Sequence, residues 1–385
     1  MEHCASLSCP MDPNIMLAKN DDISYISISS FLSFYFIWSI RVHTNFLHSL
    51  WQTALRVLGY SHGTIDHSAI MLEMIPLLAI LILIGSGVNT LGDYIQELLD
   101  ADAHGGRVFS TGTKLVQGSL NAALLAAGTT LEAMKSILEG RNRLAYALIR
   151  PPGHHAQPTQ ADGYCFLNNA GLAVQLAIAS GIKRVAVVDI DVHYGNGTAE
   201  GFYDRDDVLT ISLHMNHGSW GPSHPQTGLP NEVGKGKGAG FNLNIPLPNG
   251  CGDKGYEYAM QEMAIPVVAK FRPEIIVMVV GQDSSAFDPN GRQCLTMAGY
   301  CRLGQLVRDQ AELYSDGRVL LVQEGGYHIT YSAYCLHATI EGVLHLPTPT
   351  LSDPIAYYPE DENLAVVAVA QVKKEWITAC LDVKL

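Results

Sequence analysis

The chain lacks the cysteine patterns that mark a disulfide framework or a structural zinc site. Its eight cysteines include no CxxC pair and have no regular spacing. In a chain of 385 residues this usage is typical of reduced thiols inside a cell. The sequence also contains neither a GxSxG nucleophile elbow nor a P-loop, so it does not support a serine hydrolase or a nucleotide enzyme.

Basic residues are scarce as well. The chain has 24 lysines and arginines against 37 aspartates and glutamates, and its formal net charge is −13. A protein with this balance does not bind nucleic acid through its own electrostatics, so we expect no direct sequence-specific nucleic-acid binding. An acidic surface instead favours a basic peptide as the partner. The 48% of hydrophobic residues is typical of a globular protein.

Residues 1–90 form a divergent N-terminal segment with two apolar stretches, at 23–40 and 74–88. The first stretch is rich in serine, and the second is short for a membrane span and is interrupted by Pro76. Neither follows a basic region with a clear cleavage site, so we expect neither a signal peptide nor a membrane anchor. Residues 91–385 have a different pattern, and we assign them to a separate domain.

Short apolar strands alternate with helical patterns beyond residue 91. The strands are aliphatic and mostly unalternated, as in strands that are covered on both faces. This order predicts an α/β fold with an open, mainly parallel sheet and helices on both faces. The predicted strands are 144–149, 185–190, 208–214, 275–280 and 319–323, and the predicted helices are 117–139, 168–180, 254–270, 294–314 and 331–343.

Reactive side chains follow every one of these predicted strands. In open α/β sheets, ligands bind at the edge formed by the carboxyl ends of the strands. We therefore expect the five loops to build one site at that edge. The segments concerned are RPPGHH, DVHYGNG, MNHGSWG, GQDSSAFDPNG and EGGYH.

The stretch VVDIDVHYGNG, residues 187–197, contains two candidate metal ligands. Asp191 and His193 are two residues apart, so the end of a strand can direct both side chains at one ion. A third ligand has to come from another loop, and Asp283 in the segment GQD is the candidate. Two carboxylates and one imidazole leave a coordination position open on Zn²⁺, as in catalytic zinc sites. Iron(II) or cobalt also suits this set of ligands.

His154 and His155 follow Pro-Pro-Gly and are candidates for an acid–base pair beside the metal. Imidazoles in that role need hydrogen-bond partners that fix their tautomers, and Asp189 and Asn196 are available. Because a carboxylate stabilises an imidazolium better than a neutral amide does, we expect the two histidines to differ in pKa. 

Tyr327 follows two glycines at the end of the last predicted strand. The glycines allow the backbone to approach a ligand closely, and the phenol can then donate to an oxygen that gains charge during a reaction. A core tyrosine with its hydroxyl at the rim is the alternative interpretation of this motif.

Several motifs, in order and spacing, resemble those of the histone deacetylase superfamily. The resemblance extends from about Tyr94 to Pro359, and Asn196 and Glu324 make the chain more similar to class II members, including plant class II-like proteins. It implies a deacetylase-type fold and hydrolysis of the acetyl amide of N6-acetyl-lysine in histones or other proteins. The matching segments are RPPGHH, DGYCFLNNA, DIDVHYGNGTAEGFY, TISLH, GQDSSAFDPNG and QEGGY.

The resemblance also implies how the site would work. One Zn²⁺ per chain would be bound by the three candidate ligands, and it would polarise the acetyl carbonyl and activate water. His154 and His155 would divide the proton transfers, with His155 favoured as the acid for the leaving amine. Tyr327 would bind the oxyanion.

The resemblance also implies contacts with the substrate and the binding of a second ion. Tyr164 and Trp220 would enclose the methylene chain of the lysine, and the carbonyl of Gly163 would accept its amide N–H. A structural monovalent cation, expected to be K⁺, would be bound by residues that match the family's ligands: Asp189, Asp191, His193, Ser212 and, through its carbonyl, Leu213.

Family members begin with a strand and a His-Pro-Glu-type segment that residues 1–90 do not contain. A scaffold that has lost its activity is therefore one alternative. A deacetylase of acetylpolyamines or other small acetylated amines is another, and an acidic gatekeeper in the loops after Ser212 would indicate it. An arginase-like site with two manganese ions needs further aspartates, and Asp288 is the only spare one nearby. 

The resemblance implies an acetylated protein or peptide as the substrate and corepressor-type proteins as partners. We expect a location in the nucleus, the cytoplasm or both, and an organellar location stays open.

Overall fold

The computed structural model describes residues 89–218, 226–354 and 362–380. Both apolar N-terminal stretches and Trp220 lie outside these residues, so the division of the chain at residue 90 stays a prediction. Within the described ranges, no helix combines the length and the apolar character that crossing a membrane requires.

A six-stranded parallel sheet forms the centre of the fold. Its strand order is β3-β8-β7-β4-β5-β6, which confirms the predicted open parallel sheet. The five predicted strands are all present in it. The strands are β3 (Leu144–Ala147), β4 (Val185–Asp189), β5 (Val208–Met215), β6 (Asn242–Leu247), β7 (Ile275–Val280) and β8 (Val319–Gln323), and a separate hairpin consists of β1 (Arg107–Ser110) and β2 (Thr113–Leu115).

Helices cover both faces of the sheet because its strands are apolar on both sides. The helices are α1 (Asn89–Ala103), α2 (Ser119–Leu138), α3 (Asn169–Ala179), α4 (Asn196–Phe202), α5 (Asp253–Ala259), α6 (Ile265–Phe271), α7 (Met297–Tyr314), α8 (Tyr331–Val343) and α9 (Glu362–Ala379). On one face, α5 to α9 pack against alternate strand residues such as Val188 and Met278. On the other face, α2 and α3 pack against the intervening residues such as Val187 and Val277.

The hairpin and α1 form a smaller apolar cluster with α2 and α3. The loop from residue 150 to 168 passes next to this cluster, and the backbone N–H of Tyr164 donates to Oγ1 of Thr113 at 2.9 Å. At the end of that loop, Oδ1 of Asn168 accepts from the N–H of Gly171 at 2.7 Å and begins α3, as the sequence predicted. The hairpin therefore supports the loop that carries the histidine pair.

Candidate active site

The three predicted metal ligands lie together at the carboxyl edge of the sheet. Asp191 and His193 follow β4, and Asp283 lies in a short 3₁₀ turn after β7. Since β4 and β7 are neighbours in the sheet, their ends bring the three side chains side by side. One ligand atom of each residue lies within 4.8 Å of the others. Nδ1 of His193 is 3.2 Å from Oδ1 of Asp191 and 3.1 Å from Oδ2 of Asp283.

Glycines leave the space that these carboxylates occupy. A Cβ atom at Gly281 would lie 2.1 Å from Oδ2 of Asp191, and one at Gly325 would lie 2.1 Å from Oδ2 of Asp283. Both distances are far shorter than a van der Waals contact allows. The backbone N–H of Gly325 also donates to Oδ2 of Asp191 at 2.8 Å. The two glycines therefore permit β7 and β8 to close around the acidic pair.

The electrostatics of this cluster fit a divalent cation. Burial, followed by repulsion from Asp191, raises the pKa of Asp283 to about 6. Burial opposes the charge of His193, but its hydrogen bonds to Asp191 and Asp283 raise its pKa to about 10. The two buried carboxylates thus favour a positive charge at the point where the three side chains meet. A cation bound by the same oxygens and by Nδ1 would compensate their charge, so the residues present suit a metal.

The two histidines of the GHH segment lie beside the acidic cluster with their rings 4.0 Å apart. Nδ1 of His154 is 2.9 Å from Oδ2 of Asp189, and both residues are buried. Nδ1 of His155 is 2.6 Å from Oδ1 of Asn196. An amide oxygen can only accept, so Nδ1 of His155 is the protonated nitrogen and Nε2 is the basic one. Each histidine is thus oriented by a different partner.

The environments of the pair shift their pKa values in opposite directions. Burial disfavours the charge of His154, but the nearby carboxylates of Asp191 and Asp189 outweigh it and raise its pKa well above the ordinary value. Burial and repulsion from His154 and His193 lower the pKa of His155 well below its ordinary value. At neutral pH this pair therefore consists of a charged His154 and a neutral His155.

Tyr327 lies next to the acidic cluster, beyond β8. Its ring is 6.2 Å from that of Tyr164, with an angle of 66° between the planes. Burial, with the charges of Asp191 and Asp283, raises the pKa of the Tyr327 phenol, so it stays a hydrogen-bond donor at every physiological pH. Tyr164 is 45% exposed and lies at the mouth of the site. Its neighbour Gly163 has a positive φ of 51°, and the carbonyl of Gly163 accepts a weak bond from the thiol of Cys165 at 3.4 Å.

The residues expected to bind a monovalent cation lie on the adjacent strands β4 and β5 or directly after β4. Asp189 at the end of β4 is directly opposite Ser212 on β5, and Leu213 follows. Oδ1 of Asp189 accepts from the N–H of Asp191 at 2.9 Å, and Oγ of Ser212 is 2.9 Å from Nδ1 of His214. The structure thus brings these residues to the same part of the sheet edge as the metal cluster.

Glu324 is a residue of the site for which sequence reasoning found no role. Its carboxylate is fully buried, and Oε2 accepts from the backbone N–H groups of Gly153 at 2.7 Å and His154 at 3.0 Å. Burial raises its pKa to about 7. The sequence signal that could have indicated Glu324 is a carboxylate directly after the apolar strand β8. Its hydrogen-bond partners could not be identified from the sequence because they are 170 and 171 residues away in the chain. Glu324 therefore fixes the histidine loop to the end of β8.

The sheet and the cluster at its carboxyl edge define an α/β protein of the arginase/deacetylase type. Residues 90–343 match the family model of the histone deacetylase domain. The chain therefore belongs to the histone deacetylase family, as its motifs indicated.

Named relatives and a solved structure support this membership. The chain is 66% identical to "Histone deacetylase 8" of Arabidopsis thaliana over 283 residues, which cover 73% of this chain and 75% of that protein. It is 41% identical to "Histone deacetylase-like amidohydrolase" of Pseudomonas aeruginosa, over 64% of each chain. The crystal structure of the HDA15 HD domain is similar with a TM-score of 0.66 and 33% identity, over 74% of this chain and 76% of that one.

Proposed function

We propose that this protein is a zinc-dependent deacetylase that hydrolyses the acetyl amide of N6-acetyl-lysine in histones or other proteins. The observation that carries this proposal is the meeting of three metal-type ligands, a histidine pair and a tyrosine at one edge of the sheet. Membership of the family and the names of its relatives support the same activity.

Asp191, His193 and Asp283 would bind the zinc. When bound, Zn²⁺ supplies polarisation of a carbonyl and acidification of a water molecule. We propose that K⁺ binds to the residues expected to hold a monovalent cation: Asp189, Asp191, His193, Ser212 and the carbonyl of Leu213.

The two histidines have different roles, since His155 transfers the protons and His154 carries a charge. His155 is neutral, and its Nε2 takes the proton of the attacking water because Nδ1 donates to Asn196. The same nitrogen then donates that proton to the leaving lysine amine. His154 remains charged, since the carboxylates of Asp191 and Asp189 stabilise its imidazolium. Its positive charge stabilises the negative charge that develops on the reacting amide.

Tyr327 donates its hydroxyl hydrogen to the oxyanion of the tetrahedral intermediate. Tyr164 forms one wall for the methylene chain of the lysine, and Trp220 is expected to form the other. The carbonyl of Gly163 accepts the amide N–H of the substrate. These contacts recognise an acetylated lysine side chain and leave the rest of the peptide outside the site.

Two features favour a polypeptide over an acetylpolyamine. The sequence from residue 213 to 231 contains no aspartate or glutamate that would select a polycation at the mouth. The next acidic residue, Glu232, is half-buried and accepts from the N–H of Gly228 at 2.7 Å. Near Tyr327, the exposed side chains of Phe287 and Ile329 are apolar, with 49% and 96% of their surface accessible. An apolar rim suits the side chains of a peptide better than it suits a second ammonium group.

The decisive experiment is to assay the purified full-length chain on acetyl-lysine peptides and on acetylated polyamines, together with elemental analysis. We expect about one zinc per chain and turnover mainly of the peptides. Turnover confined to polyamines would replace the proposed substrate. Full zinc occupancy without turnover of either class would favour the inactive scaffold. Corepressor-type partners and a nuclear or cytoplasmic location are proposals that rest on the family.

A further inference from the structure

Asp288 connects the loop of a metal ligand to the loop of the catalytic tyrosine. Oδ2 of Asp288 accepts from the backbone N–H groups of Tyr327 at 2.7 Å and His328 at 3.2 Å. Its other oxygen, Oδ1, accepts from the N–H groups of Asn290 at 2.8 Å and Gly291 at 3.2 Å. The residue is only 6% exposed. One buried carboxylate therefore binds four backbone donors from two separate segments.

This arrangement excludes Asp288 as a ligand of a second metal of the arginase kind. All four of its hydrogen bonds come from backbone N–H groups, so both oxygens are already committed. A metal at either oxygen would leave two of these buried donors without an acceptor, and such losses are costly. Asp288 thus acts as a hydrogen-bond acceptor for backbone N–H groups.

The segment that Asp288 binds is also fixed on either side of Tyr327. Gly325 donates to Oδ2 of Asp191, and the carbonyl of His328 accepts from the N–H of Ser332. Gly325 and Gly326 precede Tyr327, and Gly326 has a φ of 129°, in a region that only glycine adopts readily. Ile329, two residues further, is almost fully exposed. Between the glycines and Ile329, Oδ2 of Asp288 binds the N–H of Tyr327 itself, so this bond contributes to the direction of the Tyr327 side chain.

We propose that Asp288 is a positioning residue that sets the Tyr327 hydroxyl for the oxyanion. The inference rests on the proposed deacetylase function and deepens it. A tyrosine hydroxyl is far from its backbone, so a small rotation at Tyr327 displaces it by a large amount. A displacement of about 1 Å at a reacting group can cost about 10²-fold in rate. Asp288 itself does not contact the substrate.

The test is a double-mutant cycle of four proteins: the unchanged chain, Asp288→Asn, Tyr327→Phe and the variant with both substitutions. With Tyr327 present, Asp288→Asn should lower kcat by about tenfold or more and change KM by less than about threefold. With phenylalanine at position 327, the same substitution should change kcat by less than about twofold, because no hydroxyl remains to be positioned. Equal losses in the two backgrounds would overturn the proposal.

Hydrogen exchange gives a readout that does not depend on activity. In Asp288→Asn, the amides of Tyr327 and His328 should exchange faster, while those of Gly153 and His154 keep their protection through Glu324. A matched control is Asp253→Asn, because the Asp253 carboxylate likewise accepts from a backbone N–H, that of Thr296, at 2.8 Å. The control should leave exchange at Tyr327 unchanged. Unchanged exchange at Tyr327 and His328 in both Asp288→Asn and Asp288→Ser would overturn the proposal, since serine leaves these two N–H groups without their acceptor.

A second variant keeps the experiment informative if Asp288→Asn folds poorly. In Asp288→Ser, the shorter hydroxyl can still accept from the N–H of Asn290, as serine does in such turns, but it does not reach Tyr327. Its turnover and exchange should follow those predicted for asparagine. If the unchanged chain hydrolyses no acetylated substrate, the proposed function fails. The exchange experiment still decides whether Asp288 fixes the tyrosine segment.

Discussion

His155 and Asn196 form a hydrogen bond of 2.6 Å between Nδ1 and the amide oxygen Oδ1. The neighbouring His154 has a carboxylate, Asp189, in the equivalent place. A neutral partner fixes the tautomer of His155 without stabilising its charged form, so Nε2 is free and basic. Burial and repulsion from His154 and His193 lower the pKa of His155, whereas the charges of Asp191 and Asp189 raise that of His154. The choice of amide or carboxylate as the partner adds to this separation of a proton-transferring imidazole from a charged one.

Asn196→Asp tests this separation through the pH dependence of the reaction. A carboxylate beside Nδ1 favours the imidazolium and should raise the pKa of His155. Because His155 acts as a base in its neutral form, the acid limb of kcat/KM should move to higher pH. Gln175→Glu is the control, since it adds the same charge beside Arg205 and away from the histidines. A pH profile that matches the control would mean that the partner of His155 does not tune the base.

Asp283→Ala tests the assignment of the third metal ligand. The substitution removes one of two carboxylates that face His193, so bound zinc should fall below about half an equivalent in elemental analysis. Asp309→Ala removes a surface carboxylate, 3.5 Å from His345, and should retain the metal. Full occupancy in Asp283→Ala would show that another residue completes the site.

Comparing Glu324→Ala with Glu324→Gln shows whether Glu324 stabilises the fold as a hydrogen-bond acceptor or through its charge. Alanine leaves the buried N–H groups of Gly153 and His154 without a partner, which should cost about 2–5 kcal/mol of unfolding free energy in urea titrations. Glutamine keeps an acceptor oxygen and should recover more than about half of that loss. Equal destabilisation by the two substitutions would mean that the carboxylate acts through its charge.

The sequence predicted five of the six strands of the central sheet and missed β6, as well as both strands of the hairpin. β6 contains Asn242, Asn244 and Pro246, which suggest a loop. In the structure the amide groups of Asn242 and Asn244 donate to the backbone carbonyls of Glu232 and Leu229, which lie between β5 and β6, so polar side chains are buried there. Alternating polarity therefore did not mark a solvent-exposed face in this strand, and no strand was predicted there. 

The site was predictable to the extent that its residues stand at strand ends. Asp191, His193 and Asp283 could be placed together because parallel strands end at one edge. The roles of Glu324 and Asp288 could not be placed in this way. Their carboxylates bind backbone N–H groups in other loops, and a sequence does not show which backbone groups a fold leaves unpaired.

Tyr327→Phe tests the oxyanion role directly. The substitution removes one hydroxyl and almost no volume, so the fold and the zinc content should be unchanged. The oxyanion would lose a preorganised donor, a loss typically worth about 2.7–4 kcal/mol or about 10²–10³ in kcat. The dissociation constant of an acetyl-lysine peptide should change much less, because the bond strengthens chiefly in the transition state. If the kcat of Tyr327→Phe is within about threefold of that of the unchanged enzyme, the hydroxyl does not stabilise the oxyanion. The metal would then have to stabilise the oxyanion alone.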